Sequence, residues 1–304
     1  MNQPVATKGN NKGLLYALIT AVVFTTLEPV SKLIAEAVNP YSITLWRFLI
    51  GSLMLLPFAI RKIKKDNIQI GIKDIGILTL LGTLCICFSM VMLQLAVKKA
   101  DAPSLIAIIF SANSVSTIIF AILILKEKMT KQKLIAIILC TIGVLICADF
   151  SSGSNLSSVL MAVVAALSFS LYSVLSKKFM KKISGIIQTS ISFLMGSIVL
   201  LVILLVLGVD IMPSVTTQNI SVLIYLGVVV TGIGYWAYFK AMEKGGAMTA
   251  SFAFFIKPIL TPFATFFING IVPGFKVFAA LIFIVSGSFV STFKKKEQGA
   301  SRAA

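Results

Sequence analysis

The 304-residue chain is 58% hydrophobic and only 12% charged, with a mean hydropathy of +1.01. That little charge cannot cover the surface of a soluble domain of this size, so a soluble fold is excluded. The formal charge of +17 would suit a polyanion, but the lysines cluster at the ends of apolar runs, where they set membrane topology, and nucleic acid is set aside as a partner.

An unpaired peptide group in hydrocarbon costs several kcal/mol, so apolar runs of about 20 residues should be transmembrane helices. In chain order they fall at 14–35, 41–60, 74–97, 102–125 and 132–149, then at 157–176, 186–208, 218–239, 247–269 and 275–293. The predicted fold class is an all-α integral membrane protein of ten transmembrane helices. Residues 1–13 are read as an N-terminal tail, 14–149 as a first five-helix unit, 150–293 as a second and 294–304 as a basic tail. Ala35-Glu36-Ala37 imitates a signal-peptidase site, yet the many later spans favour an uncleaved first helix.

Charge placement orients these spans. Lys8 and Lys12, the Arg61–Lys73 cluster, the Lys126–Lys133 cluster, Lys177 to Lys182, Lys240 with Lys244, and Lys294 onward all fall on one side of a ten-span arrangement. Lys98, Lys99 and Lys276 fall on the other side, while Lys32, Arg47 and Lys257 lie within spans. The bias predicts both termini in the cytoplasm.

Sliding the chain by 145 residues aligns Ala17 with Ala162, Ala21 with Ala166, Phe24 with Phe169 and Ser31-Lys32 with Ser176-Lys177. It also aligns Phe48 with Phe193, Gly51-Ser52 with Gly196-Ser197, Leu81-Gly82 with Leu226-Gly227 and Ala96 with Ala241. Past about residue 120 the offset shrinks by one or two. Five spans per copy is an odd number, so the second copy enters the membrane from the opposite side. Such inverted repeats place a solute site near the midplane between the halves.

No histidine is present, which removes the commonest metal ligand and general base. Cys85, Cys87, Cys140 and Cys147 lie inside apolar runs and read as small hydrophobes. There is no GxxxxGK[ST], no HExxH and no protease-type pair of intramembrane aspartates. The chain is read as no enzyme, and no cofactor or metal is expected.

Several short segments resemble the EamA-like branch of the drug/metabolite transporter superfamily. In the first half these are Ser31-Lys32, Trp46-Arg47-Phe48, Leu95-Ala96, Ala100-Asp101-Ala102, and Leu125-Lys126-Glu127 followed by Thr130 and Gly143. In the second they are Tyr235 through Ala241, Gly245-Gly246-Ala247 and Phe255-Ile256-Lys257-Pro258. The resemblance covers about residues 13–293. It implies an alternating-access carrier, driven without ATP hydrolysis, that exports or exchanges amino acids, amines, drugs or related metabolites. It also implies a central cavity lined by spans 1, 3, 4, 6, 8 and 9. The sequence departs from the family pattern at Gly270, where an acid is usual, and at Asn113, where a proline is usual.

An ionisable group at mid-membrane costs at least about 2.5–3.5 kcal/mol, so it needs a partner or a wet cavity. Lys257 lies near the middle of span 9, before Pro258, whose missing N–H frees a carbonyl one turn back. It is read either as a ligand for an anionic group of the solute or as half of a structural ion pair. Glu28, before Pro29 in span 1, binds an amine or a coupling proton, or neutralises Lys257 or Arg47. Arg47 is read as a structural tether or a snorkelling group and Lys32 as an interfacial anchor.

Asn113 adjoins Ala112, the repeat mate of Lys257, and has Ser111, Ser114 and Ser116 around it; it lines the cavity or bonds helix to helix. Tyr235 and Trp236 offer stacking faces to a solute, whereas Tyr238 reads as an interfacial belt residue. The candidate substrate set is thus Lys257, Glu28, Asn113, Tyr235, Ser111 and Trp236, with Pro29, Pro258, Arg47 and Lys32 structural or gating. Expected partners are a small-molecule solute, a proton or counter-substrate, and the lipid bilayer of a bacterial inner (plasma) membrane, with the chain a monomer or homodimer. A channel-like facilitator and a translocase of lipid or lipid-linked sugar are the competing functions.

Overall fold

The computed structural model describes residues 8–147, 153–179, 183–212 and 216–292; the expected tail 294–304 and most of the N-terminal tail lie outside them. Among the described residues every regular element is helical. Seven helical segments are long and apolar enough to cross a membrane: Lys12–Lys32, Pro40–Lys65, Ile72–Lys99, Pro103–Leu125, Leu156–Phe179, Gly185–Val206 and Thr217–Lys244. Ala253–Asn269 and Phe275–Val290 are shorter apolar helices.

The first half comprises α1 (Lys8–Thr25), α2 (Leu27–Lys32), α3 (Pro40–Lys65) and α4 (Ile72–Thr83). A π-helical segment, Leu84–Met90, leads into α5 (Val91–Lys99), followed by α6 (Pro103–Ser111), α7 (Asn113–Leu125) and α8 (Lys131–Cys147). The second half holds α9 (Gly153–Phe179), α10 (Gly185–Val206) and α11 (Thr217–Ile224). A second π-helical segment, Tyr225–Ile233, then leads into α12 (Gly234–Asn269) and α13 (Phe275–Thr292). The two π segments occupy corresponding places in the two halves.

The backbone stays helical through the connection expected between spans at 240–246, so α12 carries both of the last-but-one pair. It cannot be straight. Phe24 lies 5.2 Å from Tyr235 and 6.0 Å from Phe254 between ring centroids, and Tyr238 lies 5.5 Å from Phe254. Tyr235 and Phe254 would stand about 28 Å apart along a straight helix rising 1.5 Å per residue. α12 therefore doubles back between Tyr238 and Phe254, and both of its arms meet α1 at Phe24.

Packing repeats as the sequence does. α3 packs on α10 and α8 on α13; α1 packs on α12 as α9 packs on α5, α6 and α7. α10 lies against α4, and its counterpart α3 lies against the Tyr225–Ile233 segment. Glycine makes these crossings close. A Cβ on Gly82 would overlap the Ser192 carbonyl and lie 2.9 Å from the Gly196 nitrogen. At the far crossing a Cβ on Gly143 would lie 3.0 Å from the Ala280 carbonyl, and one on Gly287 2.9 Å from the Ala136 carbonyl. Each of these last two contacts is the other's copy one repeat on. Lipid leaves little hydrophobic drive between helices, so such backbone approaches supply the van der Waals contact that holds them.

Candidate functional site

The site begins with a broken helix. Pro29 has no N–H to give the Thr25 carbonyl four residues back, and α1 ends at Thr25. Thr26 makes the bend, with its N–H reaching the Val23 carbonyl at 3.3 Å and its hydroxyl the same carbonyl at 2.8 Å. Across the bundle it also meets the Tyr225 hydroxyl at 2.9 Å. The short α2 resumes at Leu27 with Glu28 fully buried.

Lys257, on the second arm of α12, donates to Glu28 Oε1 at 2.6 Å. The two side chains are 6% and 0% exposed. Lys257 Nζ also stands 5.8 Å from the centre of the Phe110 ring on α6, a cation–π approach that adds stabilisation of about 0.5–2 kcal/mol. The two residues that sequence reading singled out separately are thus one ion pair, with Glu28 in the first repeat and Lys257 in the second. Ala112, the repeat mate of Lys257, ends α6, and α6 packs against α12.

The pair is only half satisfied. Glu28 Oε2 is buried without a hydrogen-bond partner, as are Ser31 Oγ on α2, Gln94 Nε2 on α5, Ser104 Oγ on α6, and Thr265 Oγ1 and Asn269 Oδ1 on α12. α5, α6 and α12 are all packed against α2. Among the described residues, six of the eight such atoms thus lie on α2 or on helices packed against it, the other two being Ser176 Oγ and Ser184 Oγ. Buried polar atoms ordinarily find partners, and each exception calls for an explanation.

Sequence reading missed Ser31, Gln94, Ser104, Thr265 and Asn269. A signal was present: Lys257, Thr261, Thr265 and Asn269 follow one another at four-residue steps, a polar stripe along an otherwise apolar helix. Thr261 donates to the Lys257 carbonyl at 2.7 Å, and Asn269 Nδ2 to the Pro29 carbonyl at 3.0 Å. Pro29 therefore breaks the helix and also offers a carbonyl to α12. Pro258 is accommodated without a break within the helical arm.

The remaining candidates lie elsewhere. Arg47 is buried and donates through Nε to Thr231 Oγ1 at 3.1 Å, while Thr231 Oγ1 donates to the Leu226 carbonyl at 2.9 Å. It ties α3 to the second π segment. Lys32 donates to the Lys98 carbonyl at 2.8 Å, capping the end of α5, where a cation suits the negative end of the helix dipole. Asn113 sits at a second break, between α6 and α7, and donates to the Phe110 carbonyl at 2.7 Å; its own carbonyl accepts from Ser170 at 2.8 Å. Ser111 donates to the Ala107 carbonyl at 2.7 Å; the side chain of Ser114 lies outside the described residues.

Tyr235 belongs to an aromatic column, 5.2 Å from Phe24 and 5.1 Å from Phe193, which in turn meets Phe48 at 4.8 Å. Trp236 faces Tyr16 at 5.6 Å and Phe58 at 6.3 Å, near the lysine-rich end of α3 and away from the ion pair. Glu127, just past α7, accepts from Lys133 and Lys177 at 3.1 Å each. The hydrogen bonds from these two lysines hold its carboxyl below the usual carboxylate range. It joins the first repeat to the end of α9.

A helical, two-repeat bundle with membrane-length apolar helices is an architecture that suits a membrane transporter. The EamA-like transporter family model matches residues 11–148 and again 156–293, two copies displaced by the same offset the sequence repeat shows. The chain belongs to the EamA-like transporter family. It is 36% identical over 295 residues to an uncharacterized transporter of Clostridium kluyveri, covering 94% of each chain. It is 28% identical to the uncharacterized transporter YdfC of Bacillus subtilis, over 74% of this chain and 72% of that one. A solved crystal structure superposes with a TM-score of 0.62 at 17% identity, covering 93% of this chain and 97% of the other, a likeness of fold.

Proposed function

We propose that this chain is a secondary carrier of a small polar solute such as an amino acid or amine, working by alternating access around the Glu28–Lys257 pair. α1–α2, α3, α4–α5, α6–α7 and α8 are the five spans of the first repeat. α9, α10, α11 with the first arm of α12, the second arm of α12, and α13 are those of the second. The two repeats are inverted, with both termini on the cytoplasmic side of a bacterial inner membrane.

One observation carries the reading: an ion pair joins the two repeats and leaves Glu28 Oε2 unpaired. An ammonium group of the solute binds Oε2 and competes with Lys257 for Glu28. A carboxylate on the same solute draws the Lys257 ammonium the other way. A zwitterion therefore replaces one ion pair with two and releases the tie between the halves. Such release is what a solute needs in order to shift a conformational equilibrium, because it binds the two states unequally.

Purified protein in proteoliposomes tests this reading. The expected result is saturable counterflow: a labelled amino acid or amine enters faster when its unlabelled form is loaded inside. Uptake that rises linearly with concentration and ignores the internal solute would show a passive pore and overturn the proposal.

A further inference from the structure

At the lysine-rich end of α3, three helices enclose a cavity of ≈ 230 Å³. Phe58, Arg61, Lys62 and Lys65 line it from α3, Ile186 from α10, and Trp236, Lys240 and Glu243 from α12. The four α3 residues follow the spacing of a single helix face. The walls are apolar and aromatic, with Phe58 and Trp236 6.3 Å apart. The rim is cationic. Lys62 is paired with Asp66 at 2.9 Å and Lys240 with Glu243 at 2.9 Å. Arg61 and Lys65 are exposed and have no acidic partner among the described residues.

Topology signals alone would not arrange these charges over a cavity. The lysines around Glu127 show the contrast, since Lys133 and Lys177 are both spent on that carboxylate. Here two cations are left over an aromatic recess at a membrane-helix end, in a basic pocket of the kind that takes lipid head groups. A free phosphate would use the cations and have no need of the apolar walls. A phospholipid uses both.

We propose that this cavity binds the phosphate of an anionic membrane phospholipid, with Arg61 and Lys65 on the phosphate and Phe58 and Trp236 against the glycerol and upper acyl carbons. Because α3 belongs to the first repeat and α10 and α12 to the second, the bound lipid bridges the halves at a distance from the Glu28–Lys257 pair.

Thermal unfolding of the detergent-solubilised full chain, with added phosphatidylglycerol, phosphatidylcholine or inorganic phosphate, tests the proposal. Phosphatidylglycerol should raise the apparent Tm of the wild type by about 2–4 °C. An Arg61→Gln/Lys65→Gln variant should lose that shift, while a Lys64→Gln/Lys128→Gln control of equal charge keeps it. Phosphatidylcholine and inorganic phosphate should give none. An equal shift in the Arg61/Lys65 variant, loss of the shift in the control, or a matching shift from inorganic phosphate would each overturn it.

Discussion

Glu28 and Lys257 are each tolerable inside the membrane only because the other is there. Removing one partner from a buried pair leaves an uncompensated charge and costs about 3–5 kcal/mol, whereas replacing both with apolar or neutral groups of similar shape is close to neutral. Lys257→Met should therefore lower the apparent Tm in detergent well below wild type, and Glu28→Gln added to it should restore most of the loss. A double variant no more stable than Lys257→Met would show that the pair does not account for the burial. At the edge of the bundle Glu127 behaves differently. Its carboxyl titrates below its ordinary value, so its contribution is fully present above the usual carboxylate range and is lost as pH falls from there through the lowered folded-state value. The pairs are partly solvated, and their worth is under about 1 kcal/mol. Glu127→Gln should lower stability slightly at neutral pH, and the difference should vanish in acid.

At the scale of the helix, the breaks do the positioning. Pro29 was visible in the sequence, but its effect falls four residues earlier, at Thr25, because the carbonyl it leaves unpaired lies there. Asn113 sits at a second break in the same repeat, between α6 and α7, where no proline is present and its side chain donates to the Phe110 carbonyl; no sequence spacing announces that. The π segments likewise have no sequence mark, and the reversal inside α12 becomes evident only from which rings touch. The polar stripe from Lys257 to Asn269 is legible in the sequence only as a four-residue spacing, because each threonine alone looks ordinary. Pro29→Ala supplies the missing donor to Thr25, joins α1 to α2 and moves Glu28 off Lys257. Transport should fall at least tenfold while membrane insertion is retained, and transport at the wild-type rate would refute the role given to the break. At the α4–α10 crossing, Gly82→Val should abolish folded protein, since its Cβ has no room beside Ser192. Gly76→Ala, facing open space, should leave size-exclusion behaviour unchanged.

Over the whole molecule, the repeat was the most legible feature. Matched glycines such as Gly51 with Gly196 and Gly82 with Gly227 mark a displacement in the sequence and form reciprocal helix crossings in space. The fit between the halves was not legible, since which residue of one repeat meets which of the other depends on how two five-helix units nest. Thus the sequence marks Glu28 and Lys257 one at a time and does not decide between pairing and separate roles. The inverted ten-span arrangement predicts that cysteines placed at Asp66 and Lys178 label from the cytoplasmic face, and those at Asp101 and Asp210 from the opposite face. Labelling of all four from one face would overturn it. The carrier account rests most heavily on the ion pair as the place where solute binds, and counterflow by the Glu28→Gln/Lys257→Met protein tests that directly. The account predicts a protein that inserts, stays monodisperse and exchanges no solute; counterflow at the wild-type rate and apparent affinity would contradict it.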